Sequence, residues 1–228
     1  MLDRALEWLF APRCAGCGGD GTPLCAGCAS SLVELGAACP RCAQPLASDI
    51  VCRRCARTPL PLDRIVAPWR FGGELATAIR RLKFTGATHV ARTVAPLWAP
   101  VLAAAVGERD AIVVPVPLHW RRRFGRGYDH AWLLAVHACR AAALAPPTCA
   151  LRRIRAAPPQ STLPASERRD NLRGAFAVRR GFAARLAGRA VVLVDDVVTT
   201  GSTLAAAARP LLAAGATSVT GVAIARAE

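Results

Sequence analysis

The sequence predicts an α/β domain with a mostly parallel sheet, preceded by a small cysteine-rich domain. Eight of the ten cysteines fall between Cys14 and Cys55, which sets the N-terminal part off as a separate module. Beyond residue 63, short apolar segments alternate with stretches of helical periodicity, the pattern of βα units whose strands pair in parallel. The run AVVLV at 190–194 contains no polar residue, as expected of a strand buried on both faces. At 228 residues with 53% hydrophobic side chains, the chain is long enough for one medium domain and a small one.

The elements follow in order. Residues 1–12 are expected to form an N-terminal helix, 13–58 the cysteine-rich domain and 63–228 the α/β domain. Between the last two lies TPLPLD at 58–63, whose prolines favour an extended linker. The larger domain is expected to hold a strand at 64–71, helices at 74–83 and 91–106, a buried strand at 111–116 and a helix at 129–144. The polar, proline-bearing stretch 153–171 reads as a long loop, of the kind that closes over sites. A strand at 190–194, a helix at 202–214 and a strand at 218–225 complete the domain.

The formal charge is +15, and Lys83 is the only lysine among 30 basic residues. Such a charge favours anionic partners such as phosphates or nucleic acid, although a general enrichment in arginine and alanine produces it without any partner. No segment reaches the ~20 apolar residues of a membrane span. The longest candidate, 94–107, contains Pro96 and Pro100. Residues 1–12 carry Asp3, Arg4 and Glu7 and lack the basic-then-apolar order of a signal peptide. A cytoplasmic location is therefore expected, where thiols stay reduced and regularly spaced cysteines bind metal.

The cysteines form four CxxC units: Cys14 and Cys17, Cys25 and Cys28, Cys39 and Cys42, Cys52 and Cys55. One CxxC turn grips an ion from one side, and tetrahedral zinc needs two such turns to close its shell. Pairing neighbouring units gives two small ribbons in sequence, with the shorter connections; the crossed pairing of Cys14 and Cys17 with Cys39 and Cys42 stays open. Closed four-cysteine sites have no open coordination position, so two structural Zn²⁺ ions are expected, in place of a core too small to hold alone. Cys139 and Cys149 lie outside the tetrads and read as a buried thiol and a loop thiol.

The segment VVLVDDVVTTGST at 191–203 carries the most chemistry. An apolar strand ends in Asp195 and Asp196, a hydroxyl-rich loop with one glycine follows, and a helix begins. Gly201 lets backbone approach an oxyanion, while Thr199, Thr200, Ser202, Thr203 and the amides of a helix start can bind phosphate. Carboxylates at the carboxyl end of a central strand stand where open α/β sheets bind ligands. They can accept hydrogen bonds from ribose hydroxyls and position Mg²⁺ through water.

At this point the chain resembles a type I phosphoribosyltransferase, and more closely the ComF/GntX family. The resemblance rests on the cysteine units, IRRLKFTG at 79–86, PVPLHWRRRFGRGYDH at 115–130, QSTLPASERRDNLRGAF at 160–176 and the 191–203 loop. It implies a double zinc ribbon before a domain of phosphoribosyltransferase fold that binds phosphoribosyl pyrophosphate (PRPP) with Mg²⁺, in proteins associated with DNA uptake during natural transformation. By the same resemblance, Asp195 and Asp196 match the ribose-binding acids and Thr199, Thr200, Gly201, Ser202 and Thr203 the 5-phosphate loop. Arg126 and Gly127 match the pair in the pyrophosphate loop, and Lys83 matches a family lysine, with an exposed helix-end cation as the other reading. The loop at 153–171 would close as a lid, bringing Gln160 or Arg168 over the site.

Asp129 and His130 stand where the family pattern has Asn-Gln. His130 reads first as a surface histidine at a helix start and otherwise as a donor beside pyrophosphate. Two functions are expected from this resemblance: phosphoribosyl transfer from PRPP, or a PRPP-sensing accessory that binds single-stranded DNA and works with the competence machinery. The ribbon region has no aromatic residue between Arg13 and Thr58 on which bases would stack. The oligomeric state is left open.

Overall fold

The computed structural model describes residues 12–48, 50–107, 111–119, 125, 127–155, 172 and 174–228. The helix expected at 1–12 therefore falls, but for its last residue, outside the described residues, as does most of the loop at 153–171. The cysteine-rich region holds two short helices, α1 (Ala26–Ser30) and α2 (Arg53–Arg57). They are followed by β1 (Arg64–Val66), β2 (Trp69–Arg70), α3 (Gly73–Phe84), α4 (His89–Gly107), β3 (Ile112–Pro115) and α5 (His130–Ala141). Then come β4 (Leu151–Arg153), β5 (Phe176–Val178), α6 (Ala183–Leu186), β6 (Ala190–Val198), α7 (Ser202–Ala213) and β7 (Ser218–Arg226).

The main sheet has the order β1-β7-β6-β3, with β2 also on β7, and every pairing in it is parallel. Parallel strands need cover on both faces, and the side-chain alternation of β6 shows how it is provided. Val192 and Val194 enter one cluster with Ile79 and Leu82 of α3, Trp98 and Leu102 of α4 and Leu134 of α5. Val191 and Leu193 enter the other, with Leu204 and Leu211 of α7 and Phe176 of β5. The pair β4 and β5 forms a separate antiparallel unit.

The expected elements are present, with three corrections. The strand expected at 64–71 is interrupted at residues 67 and 68, because Pro68 has no N–H to give the ladder. The carbonyl of Pro68 accepts from Leu35 N at 2.9 Å and Arg70 N donates to Val33 O at 2.8 Å, so cysteine-rich chain borders the sheet at this break. The strand expected at 190–194 runs on to Val198, which puts both aspartates inside it. Finally, α4 is longer than the 94–107 segment singled out above: 19 residues whose most apolar window has a mean hydropathy of 1.4, which by length and composition suffices to cross a membrane. Its Val90, Ala91, Val94, Ala95, Trp98 and Leu102 are buried in the second cluster, the burial expected of a core helix.

Gly221 sits where β7 passes under α7. A Cβ there would lie 2.8 Å from Leu204 Cδ1 and 3.4 Å from Ile65 Cγ1, both buried. Gly221→Ala is expected to cost about 1–3 kcal/mol through overpacking, read as a lower midpoint in urea unfolding.

Candidate functional site

The cysteines gather as the shorter connections predict. Cys14, Cys17, Cys25 and Cys28 form one group and Cys39, Cys42, Cys52 and Cys55 the other, with the sulfurs of each group within 4.8 Å of one another. The sulfurs of Cys25 and Cys52 cap α1 and α2, accepting from the amides of Cys28 and Cys55 at 3.4 Å. The amides of Cys25 and Cys52 in turn donate to Cys14 and Cys39 sulfurs at 3.4 Å.

Burial opposes ionisation of Cys14 and Cys39, but these amides, together with those of the CxxC turns and a neighbouring thiol, outweigh it and bring both thiols down to about 6. Burial and the neighbouring sulfurs push Cys28 up to about 12 and raise Cys55 as well. Four adjacent thiolates cannot all ionise without a cation, and closed tetrads of this kind fit structural Zn²⁺.

The second constellation lies at the carboxyl ends of the sheet strands. Gly201 turns the chain from β6 into α7 with φ 73°, a left-handed conformation suited to glycine. A Cβ there would meet Ile65 Cδ1 at 2.7 Å and Leu60 Cδ1 at 3.3 Å. Thr200 Oγ1 and Ser202 Oγ lie 2.7 Å apart across the turn, and α7 starts on Gly201 with no side-chain cap. The positive end of the α7 dipole and its first turn thus border a cleft of about 420 Å³. Thr199, Gly201, Ser202 and Thr203 line it together with Asp195 and Lys83.

The two aspartates divide their work. Asp196 is buried, and its Oδ2 lies 2.8 Å from Lys83 Nζ and 3.0 Å from His130 Nε2. Its Oδ1 accepts from Val197 N at 2.7 Å. Burial works against its charge, but His130 and Lys83 outweigh burial and hold the carboxyl well below the usual range. Asp195 is partly exposed to the cleft, and its pKa is raised to about 7, first by desolvation and then by the Asp196 charge. His130 is buried too; burial lowers its pKa, and the Asp196 charge more than restores it, so that it ends above its ordinary value. His130, Asp195 and Asp196 stand close enough to suggest a cation site. Lys83 and His130 already occupy Asp196 Oδ2, so the cluster is an ion-pair network.

His130 is therefore not the surface histidine that its place at a helix start suggests. The signal available in the sequence was the Tyr128-Asp129-His130 run itself. Asp129 accepts from Ala131 N and Trp132 N to cap α5, and from Leu118 N at 2.9 Å to tie the preceding loop. Tyr128 OH donates to the Leu82 carbonyl, beside Lys83. The run thus fixes α5 against α3 with His130 facing inward. Lys83 is likewise no free helix-end cation.

Gly127 sits at the end of this loop with φ 76°, while Arg126 and Arg168 lie outside the described residues. Phe71 and Glu228, which the sequence reading did not single out, line the cleft as well. Cys139 is buried and Cys149 exposed, as expected.

The two acids are expected to respond differently to substitution. Asp196→Asn leaves Lys83 and His130 without their counter-charge and should cost about 3–5 kcal/mol in denaturant unfolding. For Asp195, the raised pKa means that stability is fully present below its ordinary pKa and lost as pH rises through about 7. Asp195→Asn should therefore be at least as stable as the parent above neutrality.

Comparison with known proteins covers both parts of the chain. The model of the double zinc ribbon domain matches residues 5–56, and that of the phosphoribosyl transferase domain matches residues 153–227. The DNA utilization protein YhgH of Escherichia coli (strain K12) is 34% identical over 189 residues, 79% of this chain and 80% of that protein. Competence protein F of Haemophilus influenzae is 33% identical over 161 residues, 67% of this chain and 68% of its own length. Competence protein ComFC of Bacillus subtilis is 27% identical over 186 residues, 79% and 73% of the two chains. With a double zinc ribbon followed by a phosphoribosyltransferase domain, and with relatives of this kind along most of its length, the chain belongs to the ComF family.

Proposed function

We propose that the cleft binds PRPP and that the protein transfers the phosphoribosyl group to a nitrogen acceptor, in the service of DNA uptake or nucleotide metabolism. The observation that carries this reading is the meeting, in one cleft, of the first turn of α7, the Asp195 carboxylate and Lys83. The turn suits a 5-phosphate: its dipole is positive, and Thr199, Ser202 and Thr203 bring hydroxyl residues to the cleft, while Thr200 does not line it. Asp195 suits the ribose hydroxyls as an acceptor. Lys83 can share its charge between Asp196 and the departing pyrophosphate.

In the transfer, the bond from ribose C1 to pyrophosphate oxygen breaks and a bond from C1 to nitrogen forms, the nitrogen giving up a proton to solvent. Asp195 stabilises the positive charge that develops on the ribose, and Lys83 the negative charge on the leaving group. Mg²⁺ arriving on the pyrophosphate would supply further neutralisation, and Asp195, one of the carboxylates lining the cleft, would hold it through water.

Calorimetric titration of the zinc-loaded protein with PRPP and Mg²⁺ tests the reading. Binding should strengthen as pH rises through about 7, where Asp195 ionises, and should be lost in Asp195→Asn. A folded parent protein that takes up no PRPP would overturn it.

A second reading, single-stranded DNA binding, is supported by the relatives' names and by Arg41, Arg53 and Arg57, exposed on the second cysteine group. Oligonucleotide affinity should then fall steeply with salt and drop when these three arginines are replaced by glutamine. Affinity indifferent to both would remove this reading.

A further inference from the structure

We propose that the second cysteine group acts as a clamp on the phosphate loop, with Arg54 as the positioning residue. Metal in that tetrad and an anion in the loop would then bind cooperatively. The clamp rests on the reading that residues 199–203 hold a phosphate.

Arg54 lies on α2 between Cys52 and Cys55, and its guanidinium donates to the carbonyl of Thr200. In a trans peptide, C=O and N–H point in opposite directions. Holding the Thr200 carbonyl toward α2 therefore turns the N–H of Gly201, a residue that lines the cleft, away from α2. Leu60 makes a second connection. It packs against the cysteines of the second group and stands close beside Gly201. The amide that meets the anion is thus aimed by a side chain outside the phosphoribosyltransferase domain.

The two knuckles of this group are fastened differently. The Cys39–Cys42 knuckle is tied to the sheet: Ile65 N donates to Arg41 O at 3.0 Å, and Arg226, buried at the end of β7, donates to Cys42 O at 2.9 Å. Ala43 is buried in the same cluster as Ile65 and Leu204. The Cys52–Cys55 knuckle carries Arg54, and its Cys52 amide and thiol meet the anchored knuckle through sulfur. Zn²⁺ shared by four sulfurs would be the joint that makes Arg54 rigid with respect to the sheet. Whatever free energy the metal lends the loop, the anion returns to the metal by linkage.

The test uses the full-length, zinc-loaded chain and compares the parent with Arg54→Gln, Arg54→Lys and, as a control on the same helix, the exposed Arg53→Gln. Amide hydrogen exchange of the peptide spanning residues 199–203 reads the clamp directly, with no need of ligand. It should speed up in Arg54→Gln and on zinc removal, stay as in the parent in Arg53→Gln, and be partly restored in Arg54→Lys. PRPP titration should show a loss of about tenfold in Arg54→Gln, with both tetrads still filled. PRPP should slow zinc release to a chelator in the parent but not in this variant. Loop exchange unchanged in Arg54→Gln would overturn the clamp. If exchange responds as described but the parent binds no PRPP, the clamp stands and the phosphoribosyl reading fails. If PRPP binds but leaves zinc release unchanged, the cooperative part of the proposal is overturned.

Discussion

Taking a carboxylate such as Asp196 out of water is costly unless cations accompany it. Here they come from two helices distant in sequence: Lys83 near the end of α3 and His130 at the start of α5, both on Oδ2 of a residue in the central strand β6. Because an unpaired buried charge is so unfavourable, this ion-pair triangle fixes how the two helices sit on the strand. It also decides which acid faces the cleft. With Asp196 neutralised internally, Asp195 is left as the aspartate of the cleft, and Lys83 is held at its wall.

The cysteine-rich part is not an appendage on a linker. Ala15 belongs to one core cluster and Leu35 and Ala43 to the other, so its two cysteine groups close the rims of both layers. Arg81 of α3 donates to the Cys14 carbonyl at 3.0 Å, two residues before Lys83. The first group thereby borders the helix that brings the cleft's lysine, while the second borders the turn at Thr200 and Gly201. Metal sites in this arrangement replace the apolar core that so short a segment lacks, and they also hold the edges of the site.

What could be read from the sequence was what is encoded locally. The CxxC spacing specifies the tetrads because their ligands come from neighbouring turns, and the alternation of apolar strand with helix specifies the parallel layers. The turn at Gly201 is likewise a matter of adjacent residues. What could not be read depends on partners far along the chain. His130 sits at a helix start, as do many surface histidines, and only the meeting of α5 with β6 makes it the buried partner of Asp196. The two aspartates looked like the end of a strand, because charge is unfavourable inside a sheet; the strand continues to Val198 because the Asp196 charge is neutralised. Arg54 and Arg226 were two among many arginines, and neither pattern nor period distinguishes them from the exposed ones.

The strand order has a further consequence, for the time course of folding. The two central strands, β6 and β7, are the last in the chain, while β1, β2 and β3, which come earlier, lie at the edges. During synthesis the edge strands leave the ribosome before the strands they pair with, exposing apolar surface until β6 and β7 arrive. Such long-range pairings form slowly. The cysteine groups need only their own short stretches of chain and a metal ion. They can close first and shield one end of a molecule whose sheet assembles from the outside in.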